Sequence, residues 1–154
     1  MTYLFYLLVL IAVLVPAKFV WSIWLGAKQL GWNYTTDDSR GMYTDVAKTF
    51  VTASGIAVAL MAAISTRVID STAKSSVRAS VVSLIICICA SLGTMLALAR
   101  GHEKARSRNI EARQSPDEGQ LTDGELRLIL FFGGVALASF LIGMLFLGRV
   151  TFYA

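Results

Sequence analysis

Residues 49–99 decide the fold, and they read TFVTASGIAVALMAAIST, RVIDSTAKSSVR and ASVVSLIICICASLGTMLALA in chain order. The first and last of these runs approach or reach the length of about 20 apolar residues that crosses ~30 Å of hydrocarbon. The polar segment between them, 67–78, is rich in serine and threonine, which is typical of a tight, solvated turn. Two spans joined this closely are expected to lie antiparallel and in contact.

The chain as a whole has the composition of a membrane protein. Of its 154 residues, 56% are hydrophobic and only 16% are charged, which is too apolar for a soluble domain of this size. Two further apolar runs, 3–25 and 128–148, flank the central pair. We therefore predict an all-α polytopic membrane protein, a single domain over 1–154 with four transmembrane helices in an antiparallel bundle.

Small residues recur at helical spacing in the second and fourth spans. Lipid gives little hydrophobic drive between helices, so close backbone approach must hold them together. Faces made of small residues are therefore predicted to be the packing faces of the bundle. Their members are Gly55, Ala59, Ala63, Gly134, Ala138, Ser139 and Gly143.

The third span presents a stripe of small and polar residues, namely Ser83, Cys87, Ala90 and Thr94. Two interpretations of the stripe remain open. The first is tight packing, with each hydroxyl bonded to the carbonyl four residues back. The second is the lining of a polar path through the membrane.

The basic residues lie near the ends of the spans, so topology explains the net charge of +4 better than binding to nucleic acid does. Nine of them fall on the side of the first and third loops, and four fall on the opposite side. The positive-inside rule then places loops 27–43 and 100–127 in the cytoplasm and both termini outside the cell (inner) membrane. Lys18, Trp21 and Trp24 are predicted to anchor the first span at the membrane interface.

The third loop, 100–127, is the most charged part of the chain. Its basic half is expected to continue the third helix out of the membrane and to contact anionic lipid or a partner. The residues expected to make this contact are Arg100, Lys104, Arg106 and Arg108. Thr122 and Glu125 have the spacing of a capping box, which predicts the start of the last helix. Thr44 or Asp45 is predicted to cap the second helix.

Signatures of catalysis are absent from the sequence. No group of histidine, cysteine, aspartate and glutamate has the spacing of a metal site, and the four spans contain no acidic residue and no histidine. A proton relay places ionisable groups at membrane depth. We therefore predict no enzymatic activity, no cofactor and no metal.

One resemblance adds to this interpretation. It rests on a plan of four spans in about 150 residues, on Pro16 in the first span, on a second span that ends AAISTR, and on the motifs SVV (80–82) and LG (92–93) in the third. In these features the chain resembles the membrane protein of the lambda-phage Rex exclusion system. The likeness covers 16–98, and the third loop is more charged here. The resemblance implies an ion-permeable pore that depolarises the host membrane as an antiviral response, governed by a cytoplasmic sensor.

Two functions follow as hypotheses. In the first, the chain is a homo-oligomeric, channel-like protein in which the stripe of the third span faces a narrow path. In the second, it is a non-catalytic accessory or scaffold subunit whose small faces bind the helices of other membrane subunits. Membrane lipids are partners in both cases.

Overall fold

Four long helices make up nearly all of the computed structural model, which describes residues 2–30, 34–35, 37–65, 71–111 and 119–153. The helices are α1 (Thr2–Leu30), α2 (Asp37–Ser65), α3 (Ser71–Glu111) and α4 (Asp123–Tyr153). All four are long and apolar enough to cross a membrane. The predicted all-α fold with four membrane helices is confirmed, and the chain is a small multi-pass membrane protein.

The helices pack in the spatial order α2, α3, α4, α1. α3 and α4 form the largest interface, α2 packs mainly on α3, and α1 packs mainly on α4. Since α1 touches the bundle along one side only, most of its apolar side chains face outward. Such exposure is ordinary for a helix whose surroundings are lipid tails.

Among the residues that the structure describes, the core has three clusters along the bundle axis. The cluster at one end includes Met61, Val77 and Val150, and the cluster at the other end includes Leu98 and Ile129. The middle cluster contains Cys87, Ala90 and Ala136 with the rings of Phe50 and Phe140 packed against it. These two rings meet edge to face with their centroids 5.3 Å apart.

The first and third loops meet on one side of the bundle. Two-residue strands β1 (Tyr34–Thr35) and β2 (Gly119–Gln120) pair antiparallel. An up-and-down bundle requires these loops to share a side, because each joins helix ends on the same side of the membrane. β2 leads through Thr122 into the start of α4.

The capping box at that start is confirmed. The Thr122 backbone N–H donates to Glu125 Oε2 at 2.8 Å, and the Glu125 N–H donates to Thr122 Oγ1 at 3.4 Å. This reciprocal pair satisfies two backbone donors that the first turn of a helix leaves without partners.

Two predicted boundaries are wrong. The second helix begins at Asp37, and Thr44, a predicted cap, lies inside it, where its hydroxyl donates to the Arg40 carbonyl at 2.8 Å. The segment 67–78 is not all turn, because α3 begins at Ser71. Its first two turns bury Val77 against α2 and α4, so tertiary packing favours helix in a segment whose serine and threonine content predicts a turn.

Candidate functional site

The interior face of α3 carries a row of small polar side chains, which we call the polar line. Its members are Ser76, Ser80, Cys87, Ser91 and Thr94, and all five are buried. Successive members are three, four or seven residues apart, which keeps them on one face of a helix. The 18-residue separation of the first and last corresponds to about 27 Å of helix at 1.5 Å per residue. This length is close to the thickness of the hydrocarbon core.

The polar line shares two of the four residues of the predicted stripe of the third span, Cys87 and Thr94. Cys87, Ala90 and Thr94 are buried against α2 and α4, and Ser83 is half-buried beside them. The Thr94 hydroxyl donates to the Ala90 carbonyl at 3.0 Å, four residues back, as the packing interpretation expects. The pore-lining role of the stripe stays a prediction.

A cluster of hydroxyl and thiol groups lies at the middle of the polar line. The Cys87 side chain is within hydrogen-bonding reach of the hydroxyls of Ser54 on α2 and Ser91 on α3. Within the described part of the chain, neither hydroxyl has a hydrogen-bond partner of good geometry. A thiol is a weak partner, so both hydroxyls keep hydrogen-bonding capacity that the protein does not use. Ser54 was missed by the sequence analysis, although its spacing to the buried Ala57 and Met61 marks the same helix face.

Glycine allows the closest approaches between helices. A Cβ added at Gly143 of α4 would lie 2.8 Å from Leu84 Cγ on α3, and one added at Gly134 would lie 2.7 Å from Val20 Cγ2 on α1. The Ser80 hydroxyl donates to the Gly143 carbonyl at 2.8 Å, which adds an interhelical hydrogen bond to the first contact. Both glycines therefore lie at close contacts between helices, and Ala138 and Ser139 are half-buried on the same helix.

The small-residue face of α2 points away from the bundle. Gly55, Ala59 and Ala63 are exposed, and a Cβ added at Gly55 would have no neighbour within 4 Å. α2 turns Ser54, together with Ala57 and Met61, toward α3 instead. Within the part of the chain that the structure describes, this face is exposed, so we now expect its packing role at a contact with a second chain.

Two of the three predicted interface anchors lie on the outside of α1. Lys18 and Trp21 are exposed, which fits residues that meet lipid headgroups. Trp24 lies in α1, and its side chain is outside the described residues.

The basic half of the third loop continues α3 as a helix, as expected. Arg100, Lys104 and Arg106 are exposed on it. Arg108 differs, because its Nη2 donates to Glu125 Oε2 at 3.1 Å and fastens the helix to the start of α4. Burial alone would raise the pKa of Glu125, which precedes the apolar run of α4, but its bonds to Thr122 and Arg108 hold that pKa below its ordinary value.

A cavity of about 190 Å³ lies on the loop side of the bundle. It exists because α1 packs on α4 and α2 packs on α3, which leaves a gap between α1 and α2. Phe19 and Tyr43 line it from these two helices, Gly133 from α4, and Ser91 and Thr94 from α3. The cavity therefore reaches the polar line at its inner wall.

Among the residues that the structure describes, no three histidine, cysteine or acidic side chains are placed to hold a metal ion. Comparisons of the chain with models of known families, with curated proteins and with solved structures give no match.

Proposed function

We propose that the chain is a homo-oligomeric, channel-like membrane protein that lets ions cross the membrane. The observation that supports this most is the polar line of α3. Hydroxyl and thiol groups follow one helix face over about 27 Å, whereas a face that only packs against other helices needs small residues but not polar ones. A row of small polar groups is a surface that water and ions can follow. The proposal assigns no catalysis to the chain.

Association of several copies is part of this proposal. In the single chain the polar line is covered by α2 and α4, so conduction requires these helices to separate from it. The exposed small face of α2, with Gly55, Ala59 and Ala63, gives a second copy a surface for close helix contact. Contacts between copies at this face would supply the free energy for such a rearrangement.

The proposed conduction can be tested with the two native cysteines. Cys87 lies on the polar line, and Cys89 is exposed on the outer, lipid-facing side of the same helix. Silver ions react with thiols that meet water. We expect silver to block the current of the purified protein in a planar bilayer, to block the Cys89→Ser variant equally, and to leave the Cys87→Ser variant conducting.

Cys87→Ser and Cys89→Ser are matched variants, and comparing them shows on which side of α3 silver reacts. Each changes one sulfur atom to oxygen, so the fold should be unaffected. A block that persists in Cys87→Ser and disappears in Cys89→Ser would place the path on the other side of α3 and refute the proposal.

The proposed orientation places both joined loops in the cytoplasm and both termini outside. It is supported by the nine basic residues on the side of loops 27–43 and 100–127, against four on the other side. Ser75 and Ser107 are exposed near opposite ends of α3. In intact cells, and in a background without native cysteines, we expect an impermeant thiol reagent to label Ser75→Cys and to spare Ser107→Cys. Labelling of Ser107→Cys alone would show that the orientation is the opposite of the proposed one.

The accessory or scaffold function is the second candidate, and the outer face of α2 favours it equally, since that face fits a helix of another subunit. Purification from native membranes separates the two. A ring of this chain alone supports the channel, and stoichiometric recovery with other membrane proteins supports the accessory function. Recovery of a cytoplasmic protein that depends on Arg100, Lys104 and Arg106 would support the sensor contact that the Rex resemblance implies.

A further inference from the structure

A groove of about 320 Å³ lies between α1 and α4. The two helices approach closely beside it, because a Cβ added at Gly134 of α4 would lie 2.7 Å from Cγ2 of Val20 on α1. Trp21 and Phe131, which lie on its two sides, are more than half exposed, so the groove is open toward the surrounding lipid. Six described residues line it, three from each helix, namely Ala17, Val20, Trp21, Arg127, Leu130 and Phe131.

Arg127 gives the groove one charged end. It immediately precedes the apolar run 128–148, so we expect it to lie at the membrane surface on the side of the first and third loops. Among the described residues that line the groove, it is the only charged one. Arg127 already has an interaction within the protein, but a guanidinium carries five N–H donors and can bind a phosphate group in addition. The groove therefore presents a positive charge to an anionic group.

The other end of the groove is apolar and lies deeper in the membrane. α1 and α4 run antiparallel, and the contact of Gly134 with Val20 puts these two residues at about the same level. Arg127 is seven residues from Gly134 toward the loops, and Ala17 is three residues from Val20 in the opposite direction. At 1.5 Å per residue, these positions are separated by about 15 Å along the helices. A ligand that fills the groove needs an anionic group at one end and an apolar chain at the other.

We propose that this groove binds one anionic phospholipid from the leaflet on the loop side, with its phosphate at Arg127 and the start of an acyl chain along Leu130 and Ala17. Because the groove opens to the bilayer, a lipid is the molecule that meets it, and arginine fits a phosphate with two parallel hydrogen bonds. Basic pockets between membrane helices bind anionic headgroups in this way. The site is separate from the basic end of α3, and it does not depend on whether the chain conducts ions.

Native mass spectrometry of the full-length protein tests the site. The protein is released from nanodiscs that contain equal amounts of phosphatidylglycerol and phosphatidylcholine with identical chains. We expect one phosphatidylglycerol to stay bound per chain, and we expect Arg127→Gln to reduce its preference over phosphatidylcholine about tenfold, because charge-assisted hydrogen bonds are lost. Lys48→Gln is the control, since it removes an exposed positive charge outside the groove. Equal preference in wild type and Arg127→Gln, or an equal loss in Lys48→Gln, would overturn the proposal.

Ala17→Phe tests the apolar end of the groove. Ala17 is exposed and lines the groove, so the added ring can occupy that space without entering the core. We expect bound phosphatidylglycerol to fall to background, whereas Ala62→Phe, at an exposed position on α2, should leave it unchanged. Lipid binding that Ala17→Phe does not alter would contradict the site. A lipid-free dimer that Ala17→Phe dissociates would show that a second copy fills the groove, and would overturn the proposal as well.

Discussion

A Gly143→Leu protein is expected to lose the interface between α3 and α4. The added Cβ would lie 2.8 Å from both Cγ and Cδ2 of Leu84, and 3.5 Å from the Ser80 carbonyl oxygen. Leu84 is fully buried at this interface. The helices would have to separate, which would also lengthen the hydrogen bond from the Ser80 hydroxyl to the Gly143 carbonyl. We expect the free energy of unfolding to fall by about 3 kcal/mol.

Unfolding in mixed detergent micelles, followed by tryptophan fluorescence, measures this loss. Gly148→Leu is the control, because its Cβ meets nothing within 4 Å, and we expect a change within about 0.5 kcal/mol. Adding Leu84→Ala to Gly143→Leu should recover part of the stability, so the two effects will not add. Equal stability of the Gly143 and Gly148 variants would contradict the close approach.

The second large effect concerns the polar line. We expect Thr94→Phe to abolish ion flux through the purified protein in liposomes and to leave the mass of the assembled complex unchanged. Thr94 lies on the polar line and also lines the 190 Å³ cavity. A phenyl ring at this position can therefore enter existing space instead of forcing the helices apart, and it replaces a hydroxyl with a bulky apolar group.

Thr94→Ser is the control for this variant. It keeps the hydroxyl, so the bond to the Ala90 carbonyl can still form and ion flux should persist. If Thr94→Phe conducts like the wild type, the path does not follow α3 at this depth. If the pure wild-type protein never conducts, the accessory function becomes the better explanation.

The number of helices could be predicted from the sequence, and the inward face of α2 could not. In a soluble helix, hydrophobic residues mark the buried side. Lipid removes this distinction because the outer face of a membrane helix is apolar too. Both the face with Gly55 and the face with Ser54 carry small residues at helical spacing, and only contact with α3 decides between them.

The helix ends and the cavity could not be predicted from the sequence either. Asp37 and Ser71 begin helices in segments where local composition indicates loops, because the added turns pack against other helices or begin outside the membrane. The cavity arises because α1 packs on α4 whereas α2 packs on α3. No local sequence pattern indicates which helices will pack together. The capping box at Thr122 could be predicted, since its two hydrogen bonds lie within four residues.

The length of α3 has a mechanical consequence. Its 41 residues form a rod of about 60 Å, roughly twice the thickness of the hydrocarbon core. Arg100, Lys104 and Arg106, which we expect to lie outside the bilayer, are near one end of this rod, and the polar line lies toward its other end. We expect a tilt of about 10° around its centre to move each end by roughly 5 Å. We expect a molecule bound at the basic end to act on α3 as on a lever, and we expect the ion pair of Arg108 with Glu125, which joins α3 to the start of α4, to oppose that movement.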